Sequence, residues 1–165
     1  MNPCPCGYYG AQHRPCQCSP LQIRNYLHRI SGPLLDRIDL QISVDAVDPL
    51  DLRQREDGER SEVVRARVVK ARERQQHRLA DVEIHCNAQM RPKELRHFCA
   101  LDASAERMFT HAIEKMGLSA RAHDRVLKVA RTIADLDSAE HIVARHIAEA
   151  IQYRQLDRIW EDGAA

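Results

Sequence analysis

Four thiols lie within the first 18 residues: Cys4-Pro5-Cys6, then nine residues, then Cys16-Gln17-Cys18. Two short arms of this kind can surround one tetrahedral Zn2+, and Gly7 and Gly10 let the loop between them fold back. Four sulfur ligands would close the shell against water, so such a site is structural. One residue separates the cysteines of each arm where two are usual, and two alternatives stay open: a reduced loop without metal, and a site in which His13 replaces a thiolate. The N-terminus lacks a secretory signal, which favours metal over a disulfide framework. Cys86 and Cys99 stand apart and read as small buried apolar groups.

A second group is the string from Ser31 to Leu40, SGPLLDRIDL, in which a Gly-Pro break and two leucines precede Asp36 and Arg37. It presents a positive side chain at the start of an alternating run. On spacing alone, Arg37 could simply pair with Asp36 or Asp39 at the surface. A third group is the basic row Arg67, Lys70, Arg74 and Arg78. Such a row can meet nucleic-acid phosphates, or can be a solvated face balanced by Glu62 and Glu73. The histidines are scattered, and His141 and His146 are five apart, the wrong spacing for one-face metal pairing.

The elements that position these groups follow from periodicity. With 165 residues, 44% of them hydrophobic, the chain can pack at least one core. Its charges nearly cancel to +1, so net charge argues neither for nor against nucleic acid or membrane. No apolar run approaches the roughly 20 residues of a membrane span, and the expectation is a cytoplasmic protein without a membrane partner. A helical pattern covers residues 21–30. Ile38, Leu40, Ile42 and Val44 alternate, which predicts a strand over 39–47 whose sheet is incomplete in this chain. Residues 49–58 are polar and rich in breakers. An amphipathic helix is expected over 61–79, with Val64, Val68 and Ala71 on one stripe, and 80–91 reads as irregular. Further helices are predicted over 92–98, 103–116, 119–136 and 138–159, punctuated by Pro92, Gly117 as C-terminal cap, Ser119 as N-cap and an Asp137/Glu140 capping box. Trp160 would anchor the last of them.

Three blocks in order, MNPCPCG from Met1, YLHRISGPLLDRIDL from Tyr26 and LSARAHDRVLKVARTIADL from Leu118, resemble successive blocks of the magnesium-chelatase-like AAA+ ATPases of the ComM/YifB family. The resemblance implies a mainly α chain in three parts. Residues 1–48 would be the end of an AAA+ α/β core with one strand, the Cys-rich loop, sensor 1 and the arginine finger. Residues 49–92 would be a connector carrying the basic helix, and 93–165 the all-helical lid with sensor 2. It also implies roles: Asn2 as sensor 1, Arg37 as the arginine finger acting in a neighbouring subunit's site, and Arg121 as sensor 2, with Arg125 and Lys128 extending its face. Phosphoryl transfer spreads negative charge over the terminal oxygens, and an arginine supplied in trans is worth about 10³ to 10⁵ in rate.

The Gly-rich loop ending in Gly-Lys-Ser/Thr and the acidic strand that holds Mg2+ are missing from this sequence. The family places both upstream and has the Met-Asn-Pro block internal, which implies that Met1 is not the natural start. ATP and Mg2+ then belong to a longer protein, a hexameric ring ATPase acting on DNA in transformation or recombination, and this chain alone is expected to be inactive. Two other readings stand beside it: an ATPase subunit of a magnesium chelatase, and a zinc-containing helical binding module.

Overall fold

The helical periods of the sequence become seven α-helices among the described residues, which are 1–11, 14–44 and 58–154 in the computed structural model of the chain. The expected mainly α class holds. Two units divide the chain, residues 1–56 with 154–165, and residues 57–153. The helix that the sequence placed in a connector is therefore counted with the second unit.

In the first unit, α1 (Pro20–Leu27) starts at a capping box. The Ser19 hydroxyl accepts from the Gln22 N–H, and the Ser19 N–H donates to Gln22 Oε1 at 2.8 Å. The Gly-Pro pair read as a break instead opens the short α2 (Gly32–Leu35), where the missing proline N–H would have had no helical partner. The strand expected over 39–47 is corrected: residues 39–44 form none, and 45–47 lie outside the described residues. The alternation is real but its apolar side faces outward, with Ile42 and Val44 64% and 85% exposed and Gln41 buried. A strand's backbone groups need a neighbouring strand, and none is present among the described residues.

The second unit is a helical bundle built around α6 (Ala120–Leu136), whose buried stripe Ala122, Val126, Ala130, Ile133 and Ala134 follows the helical period. Helices α3 (Ser61–Arg78), α4 (Pro92–Phe98) and α7 (Ala144–Gln152) pack on α6, and α5 (Ala103–Met116) packs on α7. Leu79, Met90, Leu95, Phe109, Ile142 and Ile147 complete the core, each worth about 1.5–3 kcal/mol when fully buried. The stripe expected on α3 packs only from Ala71 onward: Ala71 and Gln75 are buried, while Val64 and Val68 are exposed, as are all of the helix's first ten residues.

The caps explain the remaining boundaries. Gly117 adopts the left-handed conformation at φ 60° and closes α5, and Ser119 accepts from the Ala122 N–H to open α6. The helix expected over 138–159 begins later, at Ala144. Helix α6 ends in a Schellman motif, with the Ser138 N–H on the Asp135 carbonyl and the Ala139 N–H on the Ala134 carbonyl, and Ser138 at φ 59° takes the place usually held by glycine. That turn makes Asp137 the C-cap of α6, so the capping box expected of Asp137 and Glu140 opens no helix there. Ile142 then bridges to Leu101, and the Val143 N–H donates to His146 Nδ1 at the start of α7. Trp160 lies outside the described residues.

Candidate functional site

The four N-terminal cysteines converge. Sγ–Sγ separations are 3.3 Å for Cys4 and Cys6, 3.6 Å for Cys4 and Cys16 and 3.5 Å for Cys6 and Cys16, and all four sulfurs lie within 4.8 Å of one another. Sulfurs around a tetrahedral zinc, at about 2.3 Å each, would sit about 3.8 Å apart. The turn that brings the first arm together is closed by the Gly7 N–H on the Cys4 carbonyl, with Gly7 at φ 84°. Arg14 donates to the Tyr8 hydroxyl at 2.8 Å and lies over its ring, bracing the loop.

The electrostatics fit a cation. The backbone N–H groups of Tyr8 and Gln17 hold the Cys6 thiol down at about 6. The Cys18 N–H works in the same direction on Cys16, yet burial and the neighbouring thiols of Cys6 and Cys4 push Cys16 up to about 12. Four thiols this close cannot all ionise without a positive charge between them, and a soft dication supplies it. All four are free thiols, and His13 lies outside the described residues. By contrast burial pushes Cys99 up to about 11 against the pull of Arg131, the behaviour of an inert core thiol.

The other candidate residues stand as follows. Asn2 is exposed beside the cysteine turn, its side-chain nitrogen 3.7 Å from where a Cβ on Gly7 would be. Arg37 is exposed just after α2, and its Nη1 donates to the Pro33 carbonyl at 2.9 Å. Arg121, in the second unit, is exposed in the first turn of α6. Lys128 donates to the Ala88 carbonyl at 2.9 Å.

The basic row on α3 is split by its partners. Lys70 and Arg74 are exposed, and Arg67 forms a two-point pair with Glu59, both bonds 2.9 Å. Arg78 turns inward: its two terminal nitrogens grip the Asp135 carboxylate at 2.7 Å each, and it donates to Asn87 at 2.9 Å. Asp135 is almost fully buried and also pairs with Arg131 at 3.2 Å, while Asn87 donates to Asp135 and to Thr132. Arg131 reaches on to the Ala139 and Glu140 carbonyls. Sequence reasoning missed this network, because Arg78 finds its carboxylate 57 residues away. It missed Arg154 as well, which is 1% exposed.

Known proteins match the sequence along nearly the whole chain. The family profile described as magnesium chelatase, subunit ChlI C-terminal, covers residues 58–154, and that of magnesium chelatase, subunit ChlI, covers residues 1–52. The chain is 42% identical to Competence protein ComM of Haemophilus influenzae over 160 residues, 96% of this chain. It is 41% identical, over the same share, to the uncharacterized proteins YifB of Escherichia coli and of Salmonella typhimurium. In each case the chain spans 30% of the relative's length.

Proposed function

This chain belongs to the magnesium chelatase ChlI family, and we propose that it is the finger-bearing and lid-bearing portion of a ComM-type AAA+ ring ATPase that works on DNA. The observation that carries the reading is the 42% identity to ComM over 96% of the chain. In this reading Arg37, exposed after α2, meets the terminal phosphate of a nucleotide held by the neighbouring copy. Its planar fork suits phosphate oxygens, and the charge it neutralises grows in the transition state. Arg121, exposed on α6, meets the phosphates as sensor 2, and Asn2 orients the attacking water as sensor 1. The cradle for ATP and Mg2+ comes from a segment beyond this chain, six copies close the ring, and the cytoplasm is the compartment.

A zinc ion would be held by Cys4, Cys6, Cys16 and Cys18. It would supply structural closure of the loop next to Asn2, and no chemistry. Lys70 and Arg74, exposed on α3, reach DNA phosphates, and Arg67, also exposed, joins them on leaving Glu59. The family's description favours a second reading, an ATPase subunit of a magnesium chelatase.

The test is ATP hydrolysis by the longer protein that contains this segment, with and without DNA. Replacement R37A lowers kcat by about 10³ with KM for ATP nearly unchanged. Stimulation of hydrolysis by DNA supports the ComM-type reading. A rate indifferent to DNA and raised by a tetrapyrrole substrate would favour the chelatase.

A further inference from the structure

In the first unit, the turn that carries Arg37 is held from a distant part of the sequence. Arg154 is 1% exposed, and its Nη1 donates to the Ile38 carbonyl at 2.8 Å while its Nη2 reaches the Asp36 carboxylate at 3.4 Å. Asp36 and Ile38 are the residues on either side of Arg37, so one guanidinium grips the backbone on one flank of the finger and the side chain on the other. The α2 turn alone is a weak mount: it is four residues long and closes on the Ser31, Gly32, Leu34 and Leu35 carbonyls. A buried arginine with both terminal nitrogens engaged is costly to place and costly to leave unpaired, which makes its geometry specific.

We propose that Arg154 is a positioning residue for Arg37, fixing the Asp36–Ile38 turn so that the Arg37 guanidinium is presented in one orientation. This rests on the finger reading of Arg37, and the geometry adds which residue sets the finger's aim. Arg154 does not touch the nucleotide. It acts through the Ile38 carbonyl and the Asp36 carboxylate, and a lysine in its place would keep one charge and lose the fork.

Two measurements test it. In hydrogen–deuterium exchange on this chain, R154Q raises the exchange of the amides of residues 35–38 by about tenfold or more and leaves residues 61–152 unchanged, while R154K gives a smaller rise. In ATP hydrolysis by the longer protein, R154Q lowers kcat by about 10- to 100-fold with KM for ATP within about twofold, and R154K recovers part of it. An R37A variant that loses kcat beside an R154Q variant that keeps it overturns the positioning claim and leaves the finger reading standing. An R37A variant that keeps full kcat removes the finger reading itself. Unchanged exchange at residues 35–38 in R154Q overturns the clamp directly.

Discussion

In the second unit the buried side chains are mainly aliphatic and come from all five of its helices, whereas the buried side chains among the described residues of the first are Cys4, Leu35, Gln41 and Arg154. One unit excludes water by the ordinary route, with Leu79, Phe109, Ile142 and Ile147 closing on α6. The other holds its groups by directed bonds: a thiol cluster at one place, an arginine fork at another. The difference teaches where each unit is vulnerable. A hydrophobic core degrades gradually as single groups are removed, while a ligand shell or a fork fails when one partner goes.

The largest effect that sharpens this contrast is expected from removal of the proposed zinc. A structural zinc contributes on the order of 10–16 kcal/mol to small domains at neutral pH. Stripping it with a chelator, or changing Cys4→Ser and Cys16→Ser together, should abolish amide protection over the cysteine loop and leave the second unit's protection intact. Native mass spectrometry should read one zinc per chain, lost in the double variant. A metal-free chain with the same loop protection would erase the contrast.

A smaller effect probes a buried place where the second unit also depends on charge. Asp135 is nearly fully buried between Arg78 and Arg131, so Asp135→Ala leaves two guanidinium groups facing each other without a carboxylate. The expected loss is about 3–5 kcal/mol, read as a fall in denaturant midpoint, with zinc content unchanged. A loss under about 1 kcal/mol would mean that aliphatic packing alone secures α3 on α6.

Legibility in the sequence followed the range of the interactions. Pro92, Gly117 and Ser119 announce helix ends through bonds made within a few residues, and the structure follows them. The four cysteines were legible because both arms lie on one short loop. The alternating run from Ile38 to Val44 misled, since alternation states which side chains share a side but not whether a second strand exists to pair with. Asp137 and Glu140 misled for a local reason: Ser138 accepts a left-handed conformation that the Schellman turn requires, and Asp137 then ends α6 instead of opening a new helix. Arg78 looked like the rest of its basic row, and only the fold brings Asp135 to it. Arg154 grips a turn 116 residues away in sequence, beyond any spacing rule.

The reading of Arg37 as a finger that acts on a neighbouring copy has one direct measurement. Two variants of the longer protein, one carrying R37A and the other a disabled phosphate-binding loop, are assayed for ATP hydrolysis separately and mixed. Each is expected to be inactive alone, and mixing is expected to restore a substantial fraction of the rate, because subunits with an intact nucleotide site then meet neighbours with an intact arginine. Mixed assemblies that form but stay as inactive as either parent would contradict the account.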